Sequence, residues 1–260
     1  MSPMSRPSSP KKIFSPKLLP WLDIAAIAAW GILLLVYWGT GKLALLIHPN
    51  YTVLTVVTGI VLLLVAFYKA WLLLRQSRNS GPVMQHLNLL PPGWSSTLLL
   101  TIAILGLIIP PRAFASQTAL QRGVNDSITL TRVKPQSFQT AKNPENKTLI
   151  EWIRELQVRP EPDLYTGQKV KLQGFVVHPP NLPQEYFLLT RFVITCCAAD
   201  VYPVSLPVKV KSGDRNTYKP DGWLEVQGQI ITESLENKRQ VVIQETSSQV
   251  IPEPKNPYDS

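Results

Sequence analysis

Long apolar runs dominate the first 110 or so residues, and a mixed, proline-rich pattern follows them. The runs extend over about 21–47, 52–74 and 94–109, and Pro110 and Pro111 end the last one. A helix needs about 20 mostly apolar residues to cross a bilayer, so two runs are long enough and the third is slightly short. The pattern predicts a membrane protein with about three N-terminal transmembrane helices within residues 20–111.

The charges around these runs predict an orientation. Residues 1–111 hold eight Lys/Arg and one acid, whereas residues 112–260 hold 18 Lys/Arg and 16 Asp/Glu. The basic residues of the first part gather in the tail 1–19 and near Arg75 and Arg78, which the positive-inside rule makes cytoplasmic. Three spans then place the second half outside the cell membrane, whereas two spans would leave it in the cytoplasm. Because that half is nearly neutral, we expect no nucleic-acid partner.

The end of the third run allows a second interpretation. Its "AFA" sequence at 113–115 resembles a signal-peptidase site, which would allow cleavage after Ala115. Such signals are normally N-terminal, so we expect a helix that stays in the protein. Either version exports the C-terminal half.

The polar half predicts a small β domain. Residues 112–146 show no sustained periodicity and are expected to be a linker; the domain covers 147–254, and a short tail 255–260 follows. It begins with a short amphipathic helix, and five strand-like segments follow at 167–178, 185–196, 202–211, 222–232 and 239–246. Glycines inside two of them, Gly174 and Gly228, are typical of bulges or corners in a bent barrel. An OB-like five-stranded barrel is therefore predicted, with a small sandwich as the alternative.

The stretch "RFVITCCAADVYPV" at 191–204 holds both cysteines of the chain, Cys196 and Cys197. Three interpretations are open: a vicinal disulfide, a soft-metal or metalloid site, or two small residues packed at a strand end. Asp200 and His178 are the nearby additional donors for a metal. No spacing typical of structural zinc is present, and no catalytic constellation is visible, so we do not expect an enzyme.

Two other residues near this stretch are of interest. Arg191 precedes the cysteines and is a candidate partner for Asp200 across the corner. Trp223 is expected to pack under the barrel rather than to stack on a ligand.

Several motifs resemble the YcgQ-like bacterial membrane family. They are the "HP" hinge between the first two runs, the "GFVV" strand, the "RFVITCCAAD" block and the late "WLEVQG" strand. The matching positions include His48, Pro49, Gly174, Phe175, Arg191, Cys196, Cys197, Asp200, Trp223 and Gly228. The resemblance implies a membrane protein that acts beside a larger, polytopic permease as one part of a two-component system.

Three functions follow, in this order of preference. The first is an accessory permease subunit whose exported domain contacts the partner or its substrate, with Cys196, Cys197, Asp200 and Arg191 as candidate contacts. The second is a soft-metal or metalloid sensor or chaperone that uses the two cysteines, which makes a soft metal ion the one cofactor considered. The third is a membrane-anchored OB module that binds a ligand.

Overall fold

The computed structural model describes residues 18–75, 93–123 and 143–259. It divides into two compact units, one formed by Met1–Leu43 and Asn50–Pro111 and the other by Ala44–Pro49 and Arg112–Ser260. Most of the predicted basic tail, the loop with Arg78 and the middle of the predicted linker lie outside the described residues.

The described part of the first unit contains three apolar helices: α1 (Leu19–Gly39), α2 (Thr52–Arg75) and α3 (Trp94–Ile108). Within the described residues, α1 and the stretch Pro49–Arg75 are long and apolar enough to cross a membrane. The third helix has 15 residues, which corresponds to about 22 Å, shorter than a bilayer core of about 30 Å. Two of the three predicted spans are therefore helices of sufficient length and apolarity, and the crossing of the membrane by three helices stays a prediction.

Small residues let α1 and α2 approach each other closely. A Cβ atom added to Gly31 would lie 2.9 Å from the Leu63 side chain and 3.0 Å from the Gly59 carbonyl oxygen. Close approach through glycine is the usual way in which helices pack where no hydrophobic effect drives them together.

Polar contacts join α3 to α1. The Trp30 indole donates to the Leu99 carbonyl at 3.1 Å, and the Tyr37 hydroxyl donates to the Gly106 carbonyl. Asp23, the one acid of the first unit's sequence, accepts a hydrogen bond from the Ser96 hydroxyl. Backbone carbonyls and a hydroxyl thus satisfy polar side chains on otherwise apolar helices.

Within the described residues, the second unit contains two short α-helices and one six-stranded sheet. Its elements are α4 (Ser116–Gln121), α5 (Leu149–Val158), β1 (Lys169–Val177), β2 (Tyr186–Val193), β3 (Tyr202–Lys209), β4 (Trp223–Leu235), β5 (Lys238–Val250) and β6 (Tyr258–Asp259). The strand order is β1-β4-β5-β3-β2-β6, with an additional pairing between β1 and β2. The predicted short helix and five strands are confirmed, and β6 was not predicted. The finer assignment as an OB-like barrel stays a prediction.

A capping box starts α5. The Thr148 hydroxyl accepts from the Glu151 N–H, and the Glu151 carboxylate accepts from the Thr148 N–H at 2.9 Å. The helix buries its apolar face, including the fully buried Trp152, against the strands. This reciprocal capping and the buried face explain why a ten-residue segment, marginal by itself, is helical here.

The sheet is covered on both faces. One core cluster joins α5 to inward residues of β1 to β5, and the other joins residues of β2 and β4 to Ala119, Tyr258 and the partly buried Leu45 and Phe114. Because β2 is buried on both faces, its sequence is almost continuously apolar. Part of the predicted linker, around α4, therefore belongs to the packed second unit.

Candidate functional site

The cysteines lie in the turn between β2 and β3. Cys196 is exposed, Cys197 is half-buried, and both thiols are free. Their Sγ atoms are 3.7 Å apart, compared with about 2.05 Å in a disulfide. The structure therefore contains a vicinal dithiol at the surface, rather than two cysteines packed into the core.

Asp200 organises this turn. Its Oδ2 accepts from the Cys196 N–H at 2.9 Å and from the Thr195 hydroxyl, and its Oδ1 accepts from the Cys197 N–H at 3.1 Å. The Asp200 N–H in turn donates to the Cys197 carbonyl at 3.0 Å. One carboxylate thus holds the backbone N–H groups of both cysteines, which lie three and four residues before it.

These contacts set the protonation states of the site. Burial acts to raise the pKa of Asp200, but hydrogen bonds from the Thr195 hydroxyl, the Cys196 thiol and two backbone N–H groups outweigh burial and lower that pKa to about 2. The Asp200 carboxylate, followed by the Cys197 thiol, raises the pKa of Cys196 to about 11. At neutral pH the pair is an anionic carboxylate beside a protonated thiol, which is a weak nucleophile.

The segment 46–48, from the hinge between α1 and α2, pairs with this turn. Ile47 and Cys197 form an antiparallel bridge. The His48 N–H donates to the Cys196 carbonyl at 3.0 Å, and the Ala198 N–H donates to the Leu46 carbonyl at 2.8 Å. Two motifs that are about 150 residues apart in the sequence, the "HP" hinge and the cysteine block, therefore meet in one unit.

The donor atoms of Cys196, Cys197 and Asp200 all lie within 4.8 Å of one another. Among the described residues, these three side chains form a cluster of potential metal ligands. His178, the other predicted donor, does not join it. It follows β1, its Nε2 is buried without a hydrogen-bond partner, and burial, together with Arg215, lowers its pKa.

Arg191 and Trp223 lie together beside the turn. The Arg191 guanidinium is 5.5 Å from the centre of the Trp223 ring and donates to the Asn256 carbonyl at 3.3 Å. Trp223 is 9% exposed and contacts Phe175, whose ring stacks on Phe192. The burial of Trp223 agrees with the expectation that its ring packs against the strands. Phe175, which contacts Trp223 and Phe192, has a structural role in the motif.

The two motif glycines allow close strand contacts. A Cβ atom on Gly174 would lie 2.7 Å from the Thr190 carbonyl oxygen of β2, and one on Gly228 would lie 2.9 Å from the Ile243 side chain of β5. The β4–β5 pairing also shifts register between Gln227 and Gly228. A bulge or a corner was the expected role of a glycine at this position, and the register shift fits a bulge.

Sequence reasoning missed several residues that support the turn. Thr195 binds Asp200, and the backbone of 46–48 pairs with Cys196–Ala198. Arg122, in the predicted linker, donates to the Val201 carbonyl and lies over the Phe114 ring. Thr195 could have been suspected from the sequence, because Thr and Asp side chains a few residues apart often form local hydrogen bonds. The other contacts are long-range and leave no local pattern.

Fold and site together define a class of protein: two helices of membrane-spanning length and a six-stranded sheet domain with a surface dithiol. Residues 133–259, just under half of the chain, match the family model described as the DUF1980 C-terminal domain. The matched stretch contains α5, all six strands and the dithiol turn, and its similarity is consistent with the YcgQ-like resemblance. No curated protein matches the chain.

Proposed function

We propose that the chain is an accessory integral-membrane subunit of a two-component permease, with a second unit that faces the outside of the cell membrane. In the part of the chain that the structure describes, two helices of membrane-spanning length and one short apolar helix are too few to enclose a pathway. The exposed apolar side chains of α2 and α3 suit contact with lipid or with the helices of a polytopic partner.

The main support for an outward-facing second unit is the pairing of segment 46–48 with Cys196–Ala198. The segment joins α1 to α2, so a membrane crossed by both helices places it on the side opposite to the N-terminus. The paired turn must lie on that same side. The chain between Arg75 and Arg112 then has to cross once more, and α3 is the apolar helix within it. With the basic N-terminal tail in the cytoplasm, the dithiol turn is extracytoplasmic.

The short length of α3 does not oppose this topology. A bilayer accommodates a short hydrophobic segment by local thinning or by association of helices, at a modest cost per ångström. The contacts of α3 with Trp30 and Tyr37 of α1 provide such an association.

We further propose that the sheet is an OB-like, partly open barrel. The pairings run from β1 through β4, β5, β3 and β2 and back to β1. The return pairing, β1 with β2, includes Val176 and Leu189 and spans three residue pairs, and the parallel β3–β5 pairing spans two. A five-stranded, partly open barrel with such short closing contacts is typical of the OB fold.

Thiol labelling of intact cells tests the orientation. A membrane-impermeant maleimide is expected to label Cys196 without prior reduction or lysis. In a chain with both cysteines replaced by serine, Ser80→Cys, between α2 and α3 in the sequence, should be labelled after lysis only. Labelling of Cys196 that requires lysis would place the second unit in the cytoplasm and overturn the proposal.

Co-purification tests the accessory role. The tagged chain, solubilised in mild detergent from its native membranes, should retain a polytopic permease at a fixed ratio. A tagged, unrelated membrane protein of similar abundance is the control. If the chain is recovered alone after crosslinking in the intact membrane, the accessory role is wrong.

The clustered donors of Cys196, Cys197 and Asp200 favour a second role, the binding of a soft metal ion. This role is compatible with the first, because a subunit of a transport complex can hold the transported ion.

A further inference from the structure

We propose that Cys196, Cys197 and Asp200 form an exchangeable site for a thiophilic divalent cation of the Zn²⁺ class. That this ion is cargo of the transport complex rests on the proposed function, whereas the binding of the ion rests on the geometry of the turn alone.

The spacing of the two thiols fits one tetrahedral ion. Zn–S bonds are about 2.3 Å long, so two thiolates on a tetrahedral ion lie about 3.8 Å apart. The Sγ atoms of Cys196 and Cys197 are 3.7 Å apart. Adjacent residues of a regular strand point to opposite faces, so this spacing depends on the turn that interrupts the strand.

Asp200 is positioned to supply a third donor. Its Oδ2 accepts two hydrogen bonds from the turn, and its Oδ1 accepts one from the Cys197 backbone. A carboxylate offers about four acceptor positions, so Oδ1 retains one for a metal. Because the backbone bonds fix the carboxylate beforehand, little ordering remains to be done when the ion binds.

The donor set selects the class of ion. Two sulfurs and one carboxylate oxygen suit Zn²⁺ and its heavier congener Cd²⁺, whereas Mg²⁺ and Ca²⁺ take about six or more oxygens. Three protein donors leave a fourth position for water or for a donor from a partner. Since Cys196 is exposed, the ion can enter and leave from solvent, as a transfer site requires.

Binding involves no oxidation. Both thiols release their protons to solvent, each sulfur donates an electron pair to the ion, and two protons leave for each cation that binds. The Asp200 carboxylate keeps its charge throughout.

Cadmium titration of the purified full-length chain tests the site. The reduced protein, in detergent and freed of reductant, should bind one Cd²⁺ per chain with a sulfur-to-metal charge-transfer absorption, and Zn²⁺ should compete. We expect Cys196→Ser and Cys197→Ser each to weaken binding by more than about 100-fold, and Asp200→Asn by about 10- to 100-fold.

Two controls distinguish binding at this site from nonspecific metal binding. Glu253→Gln removes an exposed carboxylate of the C-terminal segment and should leave the titration unchanged, and excess Mg²⁺ should not compete. Because Asp200 also holds the turn, the two serine variants, which retain the backbone hydrogen bonds, are the decisive ones.

Three results would overturn the proposal. They are equal Cd²⁺ affinity in the wild type and the double serine variant, one ion shared by two chains, and thiol protection by arsenite but not by Zn²⁺. Failure of this titration leaves the labelling and co-purification results intact, since neither uses a metal. Conversely, if the chain binds Cd²⁺ but co-purifies with no permease, the metal site is supported and the accessory role is wrong.

Discussion

Gly174 lies where β1 runs against β2, and the contact leaves no room for a side chain. Its hypothetical Cβ is 2.7 Å from a backbone oxygen, that of Thr190, which cannot rotate away as a flexible side chain would. The glycine is therefore a packing requirement of the sheet, close to the β2 end that leads into the dithiol turn.

We expect Gly174→Ala to destabilise the second unit by about 1–3 kcal/mol, the range typical of overpacking. Thermal unfolding of the purified chain measures this. The matched control is Gly39→Ala, where the added Cβ meets nothing within 4 Å. Equal unfolding temperatures for the two variants would contradict the packing role of Gly174.

A polar cluster on the second unit has a distinct pH dependence. The Tyr186 hydroxyl donates to Glu233 at 2.5 Å, and the Lys209 ammonium donates to the other Glu233 oxygen at 2.6 Å. Burial, assisted by the hydrogen bond to Glu233, raises the pKa of Tyr186 to about 12 from an ordinary value of 10.0.

Because the raised pKa belongs to the folded state, the neutral form of Tyr186 is favoured by folding. Its contribution to stability is fully present below about pH 10 and is lost as the pH rises towards about 12. We expect Tyr186→Phe to unfold with a smaller alkaline loss of stability than the wild type. The measurement is the difference in unfolding free energy between the two proteins from pH 9 to 12; a difference that does not change with pH would refute it.

At the scale of elements, segment 46–48 pairs with the dithiol turn through an isolated antiparallel bridge. Its pairing with Cys196–Ala198 uses the His48 N–H and the Leu46 carbonyl, so main-chain atoms determine it. The hinge that contains the "HP" motif thus docks on the turn through the His48 backbone, and this pairing does not depend on the identity of the His48 side chain.

Removing the His48 N–H should loosen this docking. In a Cys196→Ser background, we expect His48→Pro to raise the rate at which Cys197 reacts with maleimide by roughly fivefold, the effect of losing about 1 kcal/mol of hydrogen bonding. His48→Ala keeps the N–H and is the matched control. If both variants react at the same rate, the backbone pairing does not protect Cys197.

At the scale of the whole molecule, the pairing of 46–48 with the turn requires that both lie on one side of the membrane. We expect Leu99→Lys with Ile102→Lys in α3 to prevent the third crossing, because each lysine at a helix centre costs about 2.5–3.5 kcal/mol of insertion free energy. The dithiol turn would then be separated from 46–48 by the membrane.

Accumulation of the chain in membranes and labelling of Cys196 in intact cells measure this outcome. Both should fall sharply in the double-lysine variant and persist in the matched Leu99→Ala, Ile102→Ala variant. Intact-cell labelling at the wild-type level in the lysine variant would mean that α3 does not cross.

Local patterns predicted the elements well. The apolar runs predicted α1, α2 and α3, and period-two alternation and turn residues predicted β1 to β5. Boundaries differ where tertiary contacts extend an element: β5 continues to Val250 because its second half pairs with β4 through the shift at Gly228. The two-residue β6 was missed, since its pairing with Phe192 and Val193 gives no periodic signal.

The sequence by itself determined which segments are apolar enough to leave water, which alternate as strands, and where the chemistry concentrates, at Cys196, Cys197 and Asp200. These properties depend on residues that are near one another in the chain. Only the tertiary structure decided that the two thiols face each other 3.7 Å apart, that His178 lies elsewhere, and that the hinge at 46–48 and the segment around Phe114 and Arg122 support the turn. Such contacts depend on the path of the backbone between distant segments, and neither composition nor periodicity encodes that path.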